Sequence, residues 1–141
     1  MIYNEIKEDL FKNKNEYYLA HCISKDFALG AGIAKDFNKQ YNMRKKLFEF
    51  RENGNIQFPK AILIDNVFNL ITKDKYYQKP TYDSLIKSLL EMKEQIVEKN
   101  ITKLAMPKIG CGLDKLKWNN VRCIIKDIFK DLDIEIKICY I

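Results

Sequence analysis

Glycine is scarce in this 141-residue chain, and four of its five glycines fall in two short clusters. These are Leu29-Gly30-Ala31-Gly32-Ile33 and Ile109-Gly110-Cys111-Gly112-Leu113. Each follows an expected strand, and the first runs straight into an expected helix. Glycine there permits positive φ and a close backbone approach, and exposed backbone N–H groups at a helix N-terminus make an anion site. Two such loops on one sheet edge could hold the two phosphates of a diphosphate; the alternative is a pair of tight strand-to-helix turns with no ligand. A dinucleotide fingerprint is not met, because Gly30-Ala31-Gly32-Ile33-Ala34-Lys35 lacks the third glycine. Titratable residues stand close by. Asp114 follows the second loop, either as a cap of the next turn or with its carboxylate toward a ligand. Lys73 ends a strand, either as a surface lysine or as a charge partner or nucleophile. Asp9 closes the first strand, as turn chemistry or as an acceptor for an amino group such as that of adenine. The lone His21 sits on an apolar strand, where a core role competes with a functional one, and Trp118 reads as helix-face core.

The elements that must carry these residues alternate along the chain. Residues 1–8 read as an edge strand and Tyr17–Cys22 as a stronger one. Ile33, Phe37 and Tyr41 recur every fourth residue, a helix with one buried stripe. Ala61–Ile64, following Pro59, and Val67–Thr72 read as two strands joined by an Asp65-Asn66 turn. Pro80 and Thr81 open a long helix to about Asn100, its buried face marked by Leu85, Leu89, Met92 and Ile96. Leu104–Met106 is a short strand ended by Pro107. A helix from Trp118 carries Val121, Ile125, Ile128 and Leu132, and Ile134–Ile138 closes the chain as a period-two strand. The basic stretch from Lys35 to Arg51 reads as a solvated helical face. About six strands interleaved with three substantial helices argue for a single α/β layered domain over residues 1–141, a mixed sheet with helices on both faces.

Charge and composition limit the partners. Lys plus Arg number 25 against 19 Asp plus Glu, a net +6, which favours anionic partners, small phosphates or nucleic acid. The apolar runs are too short to span a bilayer. The N-terminus has no basic stretch before an apolar one, so an uncleaved cytoplasmic protein is expected. The four cysteines lack CxxC spacing and there is one histidine, so neither a multi-histidine metal site nor a cysteine zinc ribbon is available and free thiols are expected.

The motifs resemble those of macrodomains. His21-Cys22-Ile23-Ser24 and Gly30-Ala31-Gly32-Ile33-Ala34 resemble their first ligand loop. Leu70-Ile71-Thr72-Lys73, Lys79-Pro80-Thr81-Tyr82 and Met106-Pro107-Lys108-Ile109-Gly110-Cys111-Gly112-Leu113-Asp114 resemble the terminal ADP-ribose protein glycohydrolase branch, the O-acetyl-ADP-ribose deacetylases. The resemblance runs from about Asp9 to the C-terminus. It implies a three-layer αβα domain with a six-stranded mixed sheet and a cleft for ADP-ribose, with no metal and no cofactor. Asp9 and Leu10 would contact adenine. Ser24 and Gly30, Ala31, Gly32 and Ile33 would surround the diphosphate and distal ribose. Pro107, Ile109, Gly110, Cys111, Gly112 and Leu113 would close over it from the other side, and His21 and Thr72 complete the binding set. Lys73 and Asp114 match the catalytic pair. Two positions depart from the family: Glu8 stands before Asp9 where Gly-Asp is usual, and Cys139 occupies the place of an aromatic residue near adenine, with Tyr140 next to it on the opposite face.

That pair implies a chemistry. A neutral Lys73 amine attacks the anomeric carbon of the distal ribose and displaces a carboxylate, and Asp114 serves as acid/base. The expected activity is release of ADP-ribose from glutamate or aspartate esters and deacetylation of O-acetyl-ADP-ribose. The partners are ADP-ribose and ADP-ribosylated protein. The alternatives are a hydrolase for ADP-ribosylated DNA, as in antitoxin-like macrodomains, and a non-catalytic ADP-ribose reader, which would not need Lys73 and Asp114. A general nucleic-acid binder has no aromatic-basic motif in the sequence to support it. One ligand cleft needs no partner, so a monomer is expected.

Overall fold

Alternation in Ile134-Glu135-Ile136-Lys137-Ile138 dictates a strand with its isoleucines on one face. In the computed structural model, which describes residues 1–52, 54, 60–112 and 115–141, this segment forms the last strand of a six-stranded sheet. The strands are β1 (Ile2–Lys7), β2 (Tyr18–Ser24), β3 (Lys60–Ile64), β4 (Val67–Lys73), β5 (Lys103–Met106) and β6 (Glu135–Tyr140). The helices are α1 (Gly32–Tyr41), α2 (Met43–Arg51), α3 (Tyr82–Glu98) and α4 (Trp118–Phe129), with a short 3-10 turn at Leu10–Asn13. The sheet order is β1-β6-β5-β2-β4-β3. β3 runs antiparallel to β4, and every other pair is parallel.

The period of two sorts the strands onto two cores. Ala20, Phe68, Leu70, Leu104, Ile136 and Ile138 pack under α3 and α4, while Leu19, Ile23, Val67, Ile71 and Cys139 pack under α1 and α2. Both faces are covered, giving the three αβα layers. α3 begins at a Thr81 N-cap whose hydroxyl accepts from Ser84 N–H, with Ser84 returning the bond to Thr81 N–H. Its Leu85, Leu89, Met92 and Ile96 are buried as the spacing requires. In α4 the buried stripe is Val121, Ile125 and Phe129, with Ile128 half-buried and Leu132 beyond the helix end.

There are four α-helices among the described residues, where the sequence pattern suggested three. The basic stretch breaks at Asn42, which takes a left-handed φ of 53°, ends α1 and opens α2. Only Met43 and Leu47 of α2 are buried, too few to mark a separate helix among so many lysines and arginines. The turn between β3 and β4 places Asp65 at φ 55°, and the Asn66 amide donates to the Lys14 and Tyr17 carbonyls. Pro59 lies outside the described residues.

Topology decides where a site can form. The parallel strands all end at one sheet edge. β2 and β5 are neighbours there, but β2 leads to α1 on one face and β5 to α4 on the other. Loops that diverge at such a switch point leave a crevice outside the carboxyl ends of the strands.

Candidate active site

A cleft of about 820 Å³ occupies that crevice, within the size range of small-molecule sites. Its walls come from the segments after β2, β4 and β5. Ser24, Gly30, Ala31, Gly32 and Ile33 line one side, Pro107, Ile109, Gly110 and Gly112 another, and Lys73 stands at the end of β4. The two glycine clusters and the candidate lysine therefore meet, although Gly30 and Gly112 stand 82 residues apart along the chain.

The loop after β2 is folded against its local preferences. Phe27 (φ 54°) and Leu29 (φ 42°) both take left-handed backbone, which is strained for bulky residues. Their side chains are buried under α1 and α2 and offset that strain. Gly32, at φ 58°, opens α1 and lines the cleft. In the loop after β5, Gly110 has φ 72°, and a Cβ there would lie 3.0 Å from Leu116 Cδ1. Its carbonyl accepts from Leu116 N–H at 2.8 Å, which folds the loop back.

Lys73 owes its direction to an irregularity. Ile23 pairs with Ile71 but Ser24 pairs with Lys73, so Thr72 is the extra residue of a bulge. Thr72 is buried, and Lys73, one step beyond, sits beside Ser24 and faces the cleft. Lys25 N–H donates to the Lys73 carbonyl at 2.9 Å and continues the pairing past the bulge. The charges suit an anion: Lys73, Lys79 and Lys108 line the cleft, and no carboxylate does among the described residues.

Several sequence candidates lie elsewhere. His21 is fully buried on β2, stacked on Phe37 with ring centroids 3.9 Å apart and bonded through Nε2 to Asn69 Oδ1 at 2.6 Å. It belongs to the core under α1 rather than to the cleft lining. Burial holds its pKa down to about 4, against a smaller opposing pull from Asn69. Leu10 is also core, and Asp9 caps the 3-10 turn by accepting from Phe11 N–H at 3.0 Å. Neither they nor Thr72 and Cys111 are among the residues that line the cleft with Lys73. Leu113 and Asp114 lie outside the described residues.

The two departures from the family pattern have local explanations. Glu8 is paired with Lys137 at 3.1 Å and more loosely with Lys12 at 3.8 Å. The Lys137 bond chiefly holds its carboxyl below the usual range, so its charge is partly neutralised within the sheet end. Cys139 is buried, and burial with the Glu8 charge pushes its thiol up to about 11, an inert group. Tyr140 faces the other way, with Lys108 Nζ 4.7 Å from its ring centre.

Residues beyond the motifs also shape the cleft. Tyr76, Tyr77, Gln78 and Lys79 form a rim after Lys73. The two tyrosine rings meet edge to face at 5.4 Å and remain 66% and 71% exposed. Nothing local in Asp74-Lys75-Tyr76-Tyr77 shows that this segment borders a site.

No family model matches the chain. Human ADP-ribose glycohydrolase OARD1 is 40% identical over 136 residues, spanning 94% of this chain and 88% of that protein. The chain belongs to the OARD1-type ADP-ribose glycohydrolase macrodomains. Solved macrodomains share the fold. That of Mycobacterium tuberculosis DarG superposes with a TM-score of 0.88 at 21% identity, over 98% of this chain and 97% of that one. Thermosipho africanus DarTG, solved in complex with ADP-ribose, gives 0.83 at 18% identity over 99% of this chain and 41% of that one. The macrodomain fold thus accounts for the six-stranded mixed sheet and its flanking helices. Among the described residues no helix is long and apolar enough to cross a membrane.

Proposed function

We propose that this macrodomain binds ADP-ribose and hydrolyses it from glutamate or aspartate esters on protein, and deacetylates O-acetyl-ADP-ribose by the same site. One observation carries the reading: Lys73 lines the same cleft as both glycine loops. The loops' N–H groups and the lysines hold the diphosphate, which brings the distal ribose to the end of β4. The neutral Lys73 amine then attacks the anomeric carbon. A C–N bond forms, the C–O bond to the ester breaks, and the carboxylate leaves with the electron pair. Water resolves the lysyl adduct, returning the amine and free ADP-ribose. Asp114 is assigned the acid/base role by its place in the family motif. Ser24, Gly30, Ala31, Gly32, Ile33, Pro107, Ile109, Gly110 and Gly112 are assigned to binding, with Cys111 and Leu113 in the same loop and Asp9 and Leu10 toward adenine.

The test is ADP-ribose release from a glutamate-linked, mono-ADP-ribosylated protein. Wild type should release it, and Lys73→Ala should lose at least about 10²-fold in rate while still binding ADP-ribose. Release that survives in Lys73→Ala would refute the lysine mechanism. Binding without release by either would make the protein a reader.

The exposed Tyr76–Tyr77 pair beside Lys79 favours a second reading, hydrolysis of ADP-ribosylated DNA. Aromatic faces next to cations suit unpaired bases. Activity on such DNA should then fall steeply between 50 and 200 mM salt, and a flat salt response would count against it.

A further inference from the structure

Asp26 joins two walls of the cleft. One carboxylate oxygen accepts from the Ser24 hydroxyl at 2.5 Å and from Ala28 N–H at 3.1 Å. The other accepts from Tyr76 N–H at 2.9 Å, across 50 residues of chain. The first pair of bonds shapes the turn that leads to Gly30. The second ties that turn to the segment immediately after Lys73. On the far side, Lys75 N–H donates to the Gln78 side chain at 2.8 Å and Gln78 N–H to the Lys75 carbonyl at 3.0 Å, so the tied segment is itself a closed turn. Burial raises the Asp26 carboxyl, but the donations from Ser24, Tyr76 and Ala28 and the Lys75 charge together leave it below the usual carboxylate range. The clasp is thus charged and engaged throughout the neutral range.

We propose that Asp26 is a positioning residue of the reaction: its bond to Tyr76 N–H fixes the end of β4, and with it Lys73, against the loop that holds the diphosphate. The inference rests on the role proposed for Lys73. Asp26 does not line the cleft and touches no reacting atom. It acts through spacing. Beyond the bulge at Thr72, the β2–β4 pairing resumes at Ser24 and Lys73 and runs on through the bond from Lys25 N–H to the Lys73 carbonyl. The five paired residues from Leu19 to Ile23 hold the rest of β2 to β4. Loss of the clasp therefore loosens the segment that follows Lys73 while leaving the sheet intact, and a reacting group displaced by about an ångström loses on the order of 10²-fold in rate.

Two kinds of variant separate this role from general damage. Asp26→Ala removes the acceptor. Tyr76→Pro removes the donor, and Tyr76 is the second residue of the Lys75–Gln78 turn with no positive φ, a place proline suits. Tyr76→Ala loses the same ring but keeps the N–H, and is the reference for Tyr76→Pro. On the glutamate-linked substrate, kcat should fall about 10-fold or more in Asp26→Ala relative to wild type and in Tyr76→Pro relative to Tyr76→Ala. The ADP-ribose Kd should move less than about threefold in Tyr76→Pro relative to Tyr76→Ala, which leaves the Ser24 and Ala28 bonds to Asp26 in place. Adding Tyr76→Pro to Asp26→Ala should cost no more than Tyr76→Ala adds to it, because the Tyr76 N–H bond is already lost in Asp26→Ala. Unchanged kcat in Asp26→Ala, or additive losses in the double variant, would overturn the proposal. So would losses confined to Kd. Amide exchange at Tyr76 reads the clasp without turnover: it should speed up about 10-fold or more in Asp26→Ala, and unaltered exchange rejects the clasp whatever the activity. If wild type fails to release ADP-ribose, the proposed function fails, and the positioning role falls with it even if the exchange result stands.

Discussion

His21 offers a stability prediction whose size follows from its surroundings. The ring is enclosed between β2 and α1, with Phe37 stacked on one face. Asn69 donates its amide to the Ile62 carbonyl at 3.2 Å, so its oxygen faces the imidazole and Nε2 carries the proton. The other nitrogen, Nδ1, is buried with no hydrogen-bond partner among the described residues. Protonation would create an unpaired donor and a charge in apolar surroundings. The folded pKa is accordingly lowered from 6.5 to about 4, first by desolvation. Because the folded value lies below the unfolded one, the unfolded chain binds the extra proton. The contribution is complete above pH 6.5 and is lost as pH falls from there toward 4. At about 1.4 kcal/mol per pH unit the full loss is about 3 kcal/mol. Between pH 7.5 and 5.0 it is about 2 kcal/mol. This window is clean because the chain has one histidine.

Urea unfolding at pH 7.5, 6.0 and 5.0 measures the slope, and the imidazole proton signals report the folded pKa directly. His21→Gln, which removes the titrating group, should flatten the profile even if it lowers stability overall. A folded pKa near 6.5, or equal stability at pH 7.5 and 5.0 in wild type, would refute the placement of this ring in the core.

The other expectations are more local. Gly110→Ala forces a Cβ against Leu116 Cδ1 at 3.0 Å on a backbone with φ 72°, and should destabilise by about 1–2 kcal/mol and weaken ADP-ribose binding, as read by a melting curve and calorimetry. Glu5 accepts from Arg122 at two nitrogens, from Tyr3 and from the lone Trp118. The Arg122 bond chiefly holds its carboxyl down to about 2, so this contribution is present above pH 4.5 and is lost as pH falls toward 2. Trp118 fluorescence should follow that loss in wild type and not in Glu5→Gln. Thr81→Ala removes the N-cap of α3 and should lower the unfolding free energy by about 1 kcal/mol, with little change in catalytic rate if the Lys75–Gln78 turn is held independently.

What could be read from the sequence was what short-range pattern determines. The stripe Leu85, Leu89, Met92, Ile96 and the alternation at Ile134–Ile138 each lie within one element, and their burial follows from period alone. The glycine clusters were conspicuous because the chain spends glycine almost nowhere else, and they converge because both follow strands that end at one sheet edge. His21 lay between two readings, since a strand buried on both faces hides which side a residue occupies. The register settles it: His21 pairs with Asn69, and its Nε2 meets the Asn69 oxygen in the core. The bulge at Thr72 cannot be seen in Leu70-Ile71-Thr72-Lys73 at all, because it is a mismatch between two strands rather than a property of one. The same holds for Asp26, an ordinary turn aspartate by its neighbours. Its contact with Tyr76 exists only after β2 and β4 have paired. The glycine loops are thus legible from composition, whereas the geometry that brings Lys73 to them depends on register. Substitutions at Asp26 should therefore disturb catalysis while leaving every recognisable motif intact.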